Sequence, residues 1–139
     1  MAKHTLQLED DLNFDLFGLC SHQRDYRVCW ALNDKLNLHL EKSIEPFMVS
    51  GKKGEVISSH SFYEWYDELD LRDFYLIQNK CQNQFLIPEK AQIDYFLVVK
   101  EAGLVEIDDL LTQLKEISCI LTAFYFDPNE LRSSNKLIF

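Results

Sequence analysis

Glu89, Asp94 and Tyr95 are the side chains of this sequence that come closest to an acid–base set. Two carboxylates and a phenol near the start of a strand could supply a proton donor and an acceptor. Pro88 predicts a turn, and the apolar run from Ile93 predicts the strand. Adjacent strand residues point to opposite faces, so we do not expect Asp94 and Tyr95 to meet at one substrate atom. We therefore predict structural roles, in which Glu89 caps or pairs locally and Tyr95 fills the core.

Histidine, cysteine and glycine spacings indicate no other reactive site. The four histidines have neither H-x-H nor H-x-x-x-H spacing. No serine or cysteine lies in a G-x-S-x-G elbow, and four glycines form no phosphate-binding loop. The four cysteines share no close spacing and are predicted to be buried thiols: Cys20, Cys29, Cys81 and Cys119. The sequence therefore predicts no catalytic residue, no metal and no cofactor.

A second polar and aromatic group lies in a helix predicted to follow Ser21. Asp25 and Arg27 are two residues apart and do not face each other on a helix. Tyr26 and Trp30 are four apart on one stripe, and we expect them to pack against the sheet. We expect Arg27 to reach a carboxylate on a neighbouring element or on a partner.

The strongest indication of a partner is a predicted strand with aromatic residues on both faces: Phe62, Tyr63, Trp65 and Tyr66. Only one face can meet the helices. The other is either covered by the ends of the chain or exposed as an aromatic interface. The apolar C-terminus, which ends at Phe139, has the same two alternatives: it docks on its own sheet or pairs with the edge of another chain.

Charge narrows the class of partner. The 139 residues include 14 Lys and Arg against 23 Asp and Glu, a formal net charge of −9. Such a chain repels phosphate backbones and anionic membranes, whereas a basic protein surface complements it. No apolar run reaches the ~20 residues of a membrane-spanning helix, and the N-terminus lacks the apolar segment of a secretory signal. We predict a cytoplasmic protein whose partner is another protein, a basic one included, or a second copy of itself.

Two segments, 14–40 and 93–126, each predict a strand–helix–strand unit. In the first, strands over 14–20 and 36–40 flank a helix. In the second, strands over 93–99 and 119–126 flank the most regular apolar helical spacing in the sequence. Between the units we predict a strand at 62–66 and a hairpin that joins 74–78 to 84–87.

These elements predict an α+β fold with a mostly antiparallel sheet of six to seven strands. Two main helices are expected on one face, and the paired units give the fold a ferredoxin-like character. We predict a single domain over 1–139, with an arm or edge strand at 1–12, a surface connection at 43–58 and a C-terminal turn and tail at 127–139.

The segment 87–95 resembles the naming motif of a bacterial family known as the IPExxxVDY family. Its motif residues here are Ile87, Pro88, Glu89, Ile93, Asp94 and Tyr95, with isoleucine at 93 where the name has valine. The stretch 25–33 and the pair Asp127-Pro128 also resemble this family, so that the likeness covers nearly the whole chain. The resemblance implies no particular activity, cofactor or ligand.

We therefore predict a non-enzymatic cytosolic interaction or adaptor module that binds another protein through its aromatic strand. The alternative is a regulatory domain that binds a small molecule between helix and sheet, near Ser21 or Glu89. An enzyme that uses Glu89 with Arg27 or Tyr95 is the third hypothesis.

Overall fold

The computed structural model describes residues 13–51, 53–101 and 106–137. Within them lie two helices, α1 (Asp25–Leu36) and α2 (Ile107–Lys115). The ten strands of these ranges are β1 (Asp15–Cys20), β2 (Glu41–Lys42), β3 (Phe47–Ser50), β4 (Val56–His60), β5 (Phe62–Asp67), β6 (Arg72–Gln78), β7 (Lys80–Cys81), β8 (Gln84–Phe85), β9 (Tyr95–Glu101) and β10 (Thr122–Phe126). Short 3₁₀ segments follow at Pro88–Lys90, Pro128–Glu130 and Arg132–Leu137.

Six strands form one sheet in the order β10-β1-β9-β6-β5-β2, and every neighbouring pair is antiparallel. Strands β9 and β10, which α2 connects, lie on either side of β1 and run in the same direction. This is the split β-α-β arrangement of ferredoxin-like folds, with β6 and β5 placed between β9 and β2. The predicted α+β fold with a mostly antiparallel sheet is confirmed. The predicted arm at 1–12 lies outside the described residues.

Both helices pack on one face of this sheet, as predicted. Helix α1 buries Val28, Cys29, Ala31 and Leu32 there, and α2 buries Leu114. Each fully buried aliphatic side chain of this kind contributes about 1.5–3 kcal/mol. The sheet residues that meet the helices include Phe17, Leu19, Phe74, Leu76, Tyr95, Leu97 and Val99.

The opposite face of the sheet is also covered, by three separate parts of the chain. Leu16, Phe96 and Val98 from the central strands lie in a second apolar cluster. The side chains that cover them come from β3, from the segment after β8 and from the last 3₁₀ segment: Val49, Leu86, Ile87, Ile93 and Leu137. Strand β9 is thus buried on both faces, which explains its nearly continuous apolar sequence.

The segment 43–58 was predicted to be a surface connection; most of its described residues are exposed, but it contains paired strands and is not a simple loop. Strands β3 and β4 form an antiparallel hairpin there, in which Phe47 pairs with His60 and Val49 with Ser58. Gly54 lies in the turn between the strands with φ of 84°, a conformation that favours glycine. The hairpin is stable because Val49 faces the apolar cluster and Phe47 packs on Phe62.

The strand predicted at 36–40 is wrong. Helix α1 continues to Leu36 and ends at Asn37, which adopts a left-handed φ of 57°. The side chain of Asn33 then bonds both backbone groups of Leu40, at 2.9 Å to its N–H and 3.1 Å to its C=O. The leucines still alternate inward, since Leu38 and Leu40 are buried, but strand pairing begins only at Glu41.

The hairpin predicted between 74–78 and 84–87 has different partners in the structure. Strand β6 pairs with β5 and β9, whereas β8 pairs with β7, which lies inside the predicted loop. At the C-terminal end, Asp127 accepts a hydrogen bond from Asn129 N–H at 3.0 Å and starts the predicted turn. Phe139 lies outside the described residues.

Candidate functional site

The IPExxxVDY-like segment is held together by Asn79, a fully buried residue that sequence reasoning missed. Its side-chain amide donates to Ile93 C=O at 2.8 Å and to Lys90 C=O at 3.0 Å, and its side-chain oxygen accepts from Ile87 N–H at 2.9 Å. Ile87 and Ile93 themselves point into the apolar cluster. The buried residues of this segment therefore fill the apolar cluster, and their backbone groups find hydrogen-bond partners on Asn79.

Glu89 binds the C-terminal segment of the chain. Pro88 opens the short 3₁₀ turn, and the Glu89 carboxylate accepts hydrogen bonds from Ser133 N–H at 2.7 Å and Ser133 Oγ at 2.8 Å. Partial burial acts to raise the pKa of Glu89, but these bonds and the nearby Lys136 outweigh it, and the pKa is lowered. Glu89 is thus held ionised, and its partner lies 44 residues away rather than locally as predicted.

Asp94 and Tyr95 both contact the turn between β1 and α1. Asp94 accepts a hydrogen bond from Ser21 N–H at 2.9 Å, and the Tyr95 hydroxyl donates to Gln23 C=O at 2.6 Å. Asp94 precedes β9, so strand alternation does not separate the two side chains as we expected. Burial, together with the charges of nearby Asp25 and Asp94, raises the pKa of Tyr95 to about 12. A phenol so bonded is suited to fixing a turn and not to transferring a proton near neutrality.

Asp25 fastens the start of α1 to β5 and the residue before it. Its carboxylate accepts hydrogen bonds from Ser61 Oγ and, at 3.1 Å, from the Tyr63 hydroxyl. Burial acts to raise the pKa of Asp25, but these bonds, with help from Lys42, lower it. Burial and the adjoining Asp25 charge both raise the pKa of Tyr63. Tyr63 is therefore an internal residue and not a surface contact.

The aromatic strand is largely covered on both sides. Phe62 packs against Phe47 and Tyr75, with ring centroids 5.7 Å apart in each pair. Trp65 stacks on Phe74 at 5.6 Å and contacts the edge of His39 at 5.1 Å. Of the four aromatic residues of the predicted strand, Tyr66 alone is well exposed, at 49 %. Hairpin β3–β4, which sequence reasoning missed, accounts for the cover over Phe62.

An exposed aromatic group instead lies on the outer side of α1. Tyr26 is 64 % exposed and Trp30 57 %, and the Arg27 guanidinium lies 4.9 Å from the centre of the Trp30 ring. We call these three residues the α1 patch. The expectation that Tyr26 and Trp30 pack on the sheet is wrong, because the smaller residues Val28 and Ala31 share the buried side of the helix with Cys29 and Leu32.

A half-open cleft of about 460 Å³ lies where α1 ends, α2 begins and β5 turns into β6. Its apolar surface comes from Leu36, Leu38, Trp65, Phe74, Val99 and Leu110. Its charged residues are Asp67, Asp70, Arg72, Glu106 and Asp109. We call it the Trp65 cleft. Four carboxylates and one guanidinium give it three negative charges in excess.

The described cysteines and acidic residues do not form a metal site, and Cys29 is a buried thiol of low reactivity. Among the residues of the three described ranges, no group of three or more His, Cys, Asp or Glu side chains could hold a metal ion. The four cysteines are free thiols, and burial, reinforced by Asp25, raises the pKa of Cys29 to about 11. Such a thiol is a poor nucleophile at neutral pH. No helix in the described ranges is long and apolar enough to cross a membrane.

Taken together, these residues define an α+β protein with an exposed aromatic patch on α1 and an acidic cleft that includes an aromatic side chain. No family model matches the chain, and no curated protein matches it. The IPExxxVDY resemblance stays a prediction, and the evidence on function comes from the chain's own surfaces.

Proposed function

We propose that this protein is a non-enzymatic cytosolic interaction module that binds a partner protein through the α1 patch. The observation that carries the proposal is the exposure of Tyr26 and Trp30 beside the stacked guanidinium of Arg27. Trp, Tyr and Arg are the residue types most enriched among the side chains that dominate binding energy at protein interfaces. Truncating such a side chain at the centre of a protein interface typically costs about 2 kcal/mol or more.

The geometry of the patch favours binding to a protein surface. Residues 27 and 30 are three apart on the helix, so the Arg27 guanidinium lies over the Trp30 ring, 4.9 Å from its centre. Holding Arg27 on the ring reduces the side-chain entropy that it would otherwise lose on binding. A partner that places an apolar group on Tyr26 and Trp30 and a carboxylate at Arg27 would complement the patch.

The chain's charge supports a protein partner over a nucleic acid or an anionic membrane. At a net charge of −9, a phosphate-rich surface is repelled at long range, and a partner of net positive charge is attracted. A second copy of the chain is an alternative occupant of the patch, and it would have to overcome this repulsion. Self-association would therefore strengthen with added salt.

The arrangement of the candidate catalytic residues supports a binding role over an enzymatic one. Glu89 is bonded to Ser133, the Tyr95 hydroxyl to Gln23, and Arg27 lies on the outer side of α1. Each side chain is engaged in a different place. Together with the raised pKa of Tyr95, this leaves the three without a common point at which to act on a substrate.

The test compares captured partners across matched variants and then reconstitutes the complex. Tagged wild-type protein, Trp30→Ala and the control Ile44→Ala, which truncates a fully exposed residue elsewhere, are used as baits in cell lysate. We expect a protein that wild type and Ile44→Ala retain and Trp30→Ala loses. With that protein purified, calorimetry should show binding at least about 30-fold weaker for Trp30→Ala, as expected for about 2 kcal/mol.

Two results would contradict the proposal. One is a partner that all three baits retain equally. The other is an unassociated monomer across salt concentrations, with no protein distinguishing the baits. A dimer by light scattering that Trp30→Ala dissociates would identify the second copy as the occupant.

A small-molecule-binding regulatory role is the second candidate, and a specific depression favours it. A polar hollow of about 400 Å³ adjoins the β1–α1 turn, where Ser21, Lys80 and Asp94 are among its lining residues. A cation and a carboxylate on one rim suit a small zwitterion. Thermal shifts with a metabolite panel test this role. A ligand-induced rise in Tm that Lys80→Ala abolishes and Ile44→Ala preserves would support it, whereas no shift would remove it.

A further inference from the structure

The Trp65 cleft lies outside the proposed α1 patch, and different residues form it. We propose that the cleft binds the arginine side chain of a basic peptide segment on a partner protein. The inference requires only the cleft itself, so it can fail or hold independently of the α1 patch.

The shape and lining of the cleft match a long side chain with a flat cationic end. At about 460 Å³ it lies within the range of ligand-binding pockets. Leu36, Leu38 and Leu110 offer apolar surface for the methylene stem of an arginine. The half-buried indole of Trp65, which stacks on the buried Phe74 ring at 5.6 Å, adds an aromatic wall for the guanidinium plane.

The charges of the cleft come from two separate elements that face the same space. Asp67 and Asp70 belong to the end of β5 and the turn after it, and Glu106 and Asp109 to the start of α2. One oxygen of Asp67 accepts N–H bonds from Leu69 and Asp70, at 3.0 and 3.4 Å. This bond set gives Asp67 a role in the turn itself.

The other three carboxylates of the cleft are not needed for local bonding. The side chains of Asp70, Glu106 and Asp109 make no hydrogen bond or ion pair within the part of the chain that the structure describes. Arg72 also lines the cleft, and with its charge counted the cleft still has three negative charges in excess. An acidic rim around an aromatic wall has charge complementary to a basic segment.

Arginine fits these features better than other cations. Its planar group can stack on the indole and donate in-plane hydrogen bonds to carboxylates at the same time, which a lysine ammonium cannot. Phosphate-bearing ligands are disfavoured by the same carboxylates. The neutral analogue citrulline, which keeps the shape of arginine and lacks its charge, is therefore the most informative comparison.

The test is calorimetric titration of the full chain with a short capped peptide that carries two arginines among glycine and serine. We expect binding that weakens at least about tenfold when citrulline replaces arginine, and about threefold when lysine does. The variant Asp70→Asn with Glu106→Gln should weaken binding about 5- to 30-fold. The control Asp34→Asn with Glu45→Gln makes the same change in net charge at exposed sites outside the cleft and should stay within about twofold.

Four results would overturn the inference. Equal affinity for the arginine and citrulline peptides would remove the cationic ligand. If the cleft variant and the control variant weakened peptide binding equally, the attraction would come from the overall charge of the protein and not from a defined site. If spermidine bound as tightly as the peptide, the ligand of the cleft would be a small polycation and not a peptide segment. A Trp65→Leu variant with native circular dichroism and unchanged affinity would likewise exclude the aromatic wall, and the α1 patch would be unaffected by any of these outcomes.

Discussion

Replacing Asn79 with alanine should destabilise this protein more than any surface substitution. Asn79 is fully buried, and its side chain satisfies Ile87 N–H, Ile93 C=O and Lys90 C=O. The bonds to Ile87 and Ile93 are buried, and each such group left without a partner costs about 1–3 kcal/mol. Asn79→Ala should therefore lower the free energy of unfolding by about 3–4 kcal/mol, a large part of the total of about 5–15 kcal/mol.

Equilibrium unfolding in urea measures this loss. The control is Asn83→Ala, four residues further on and exposed, which should stay within about 0.5 kcal/mol of wild type at an unchanged slope. Asn79→Asp adds a second check, because a carboxylate would face the carbonyl oxygens of Lys90 and Ile93. Its folded-state pKa would be raised, so its stability should recover as the pH falls. A loss below about 1 kcal/mol for Asn79→Ala would refute the assigned role of the residue.

Three further predictions concern separate parts of the molecule. Burial lowers the pKa of His60, with Lys136 contributing, so the unfolded chain binds the proton more readily than the folded one. The free energy of unfolding should therefore reach its full value above about pH 6.5 and fall by up to about 1.4 kcal/mol per pH unit below it. His60→Gln should remove this dependence from urea unfolding curves. Gly18→Ala should cost about 1–3 kcal/mol in the same assay, because the added Cβ would lie 2.6 Å from the Phe126 ring, and a loss of under 0.5 kcal/mol would show that the ring moves freely. Glu89→Ala should speed amide hydrogen exchange at Ser133 by about tenfold, since the bond that protects this N–H at 2.7 Å is removed, while exchange within β9 should change far less.

The sheet and the part of the core between sheet and helices could be predicted from sequence, because both follow from the periodic spacing of apolar residues along the chain. The continuous apolar run of β9 requires burial on both faces, and the helical spacing of Ile107 to Leu114 gives α2. The split unit around β1 then follows from two strand–helix–strand segments. The general fold therefore needed only local patterns and the rule that apolar faces are covered.

The two proposed binding surfaces could not be predicted as surfaces, for two physical reasons. Helix α1 supports two apolar arcs that share Cys29, and only contacts with the sheet select the arc of Val28 and Ala31 over that of Tyr26 and Trp30. The cover over Phe62 depends on hairpin β3–β4. The strands of this hairpin are too short to show a recognisable alternation of apolar and polar residues in the sequence. The Trp65 cleft is formed by three segments that are distant in sequence, so no local sequence pattern predicts it.

The position of β1 has a consequence for synthesis of the protein on the ribosome. Both neighbours of this strand come late in the chain, and Leu16 pairs with Phe126 across 110 positions of sequence. At about 5–20 residues per second, β1 waits on the order of 5–20 s after its own translation before β10 is made. Until β9 is also made, a nascent segment rich in Leu and Phe has no strand to pair with, and exposed apolar segments of this kind are what chaperones bind.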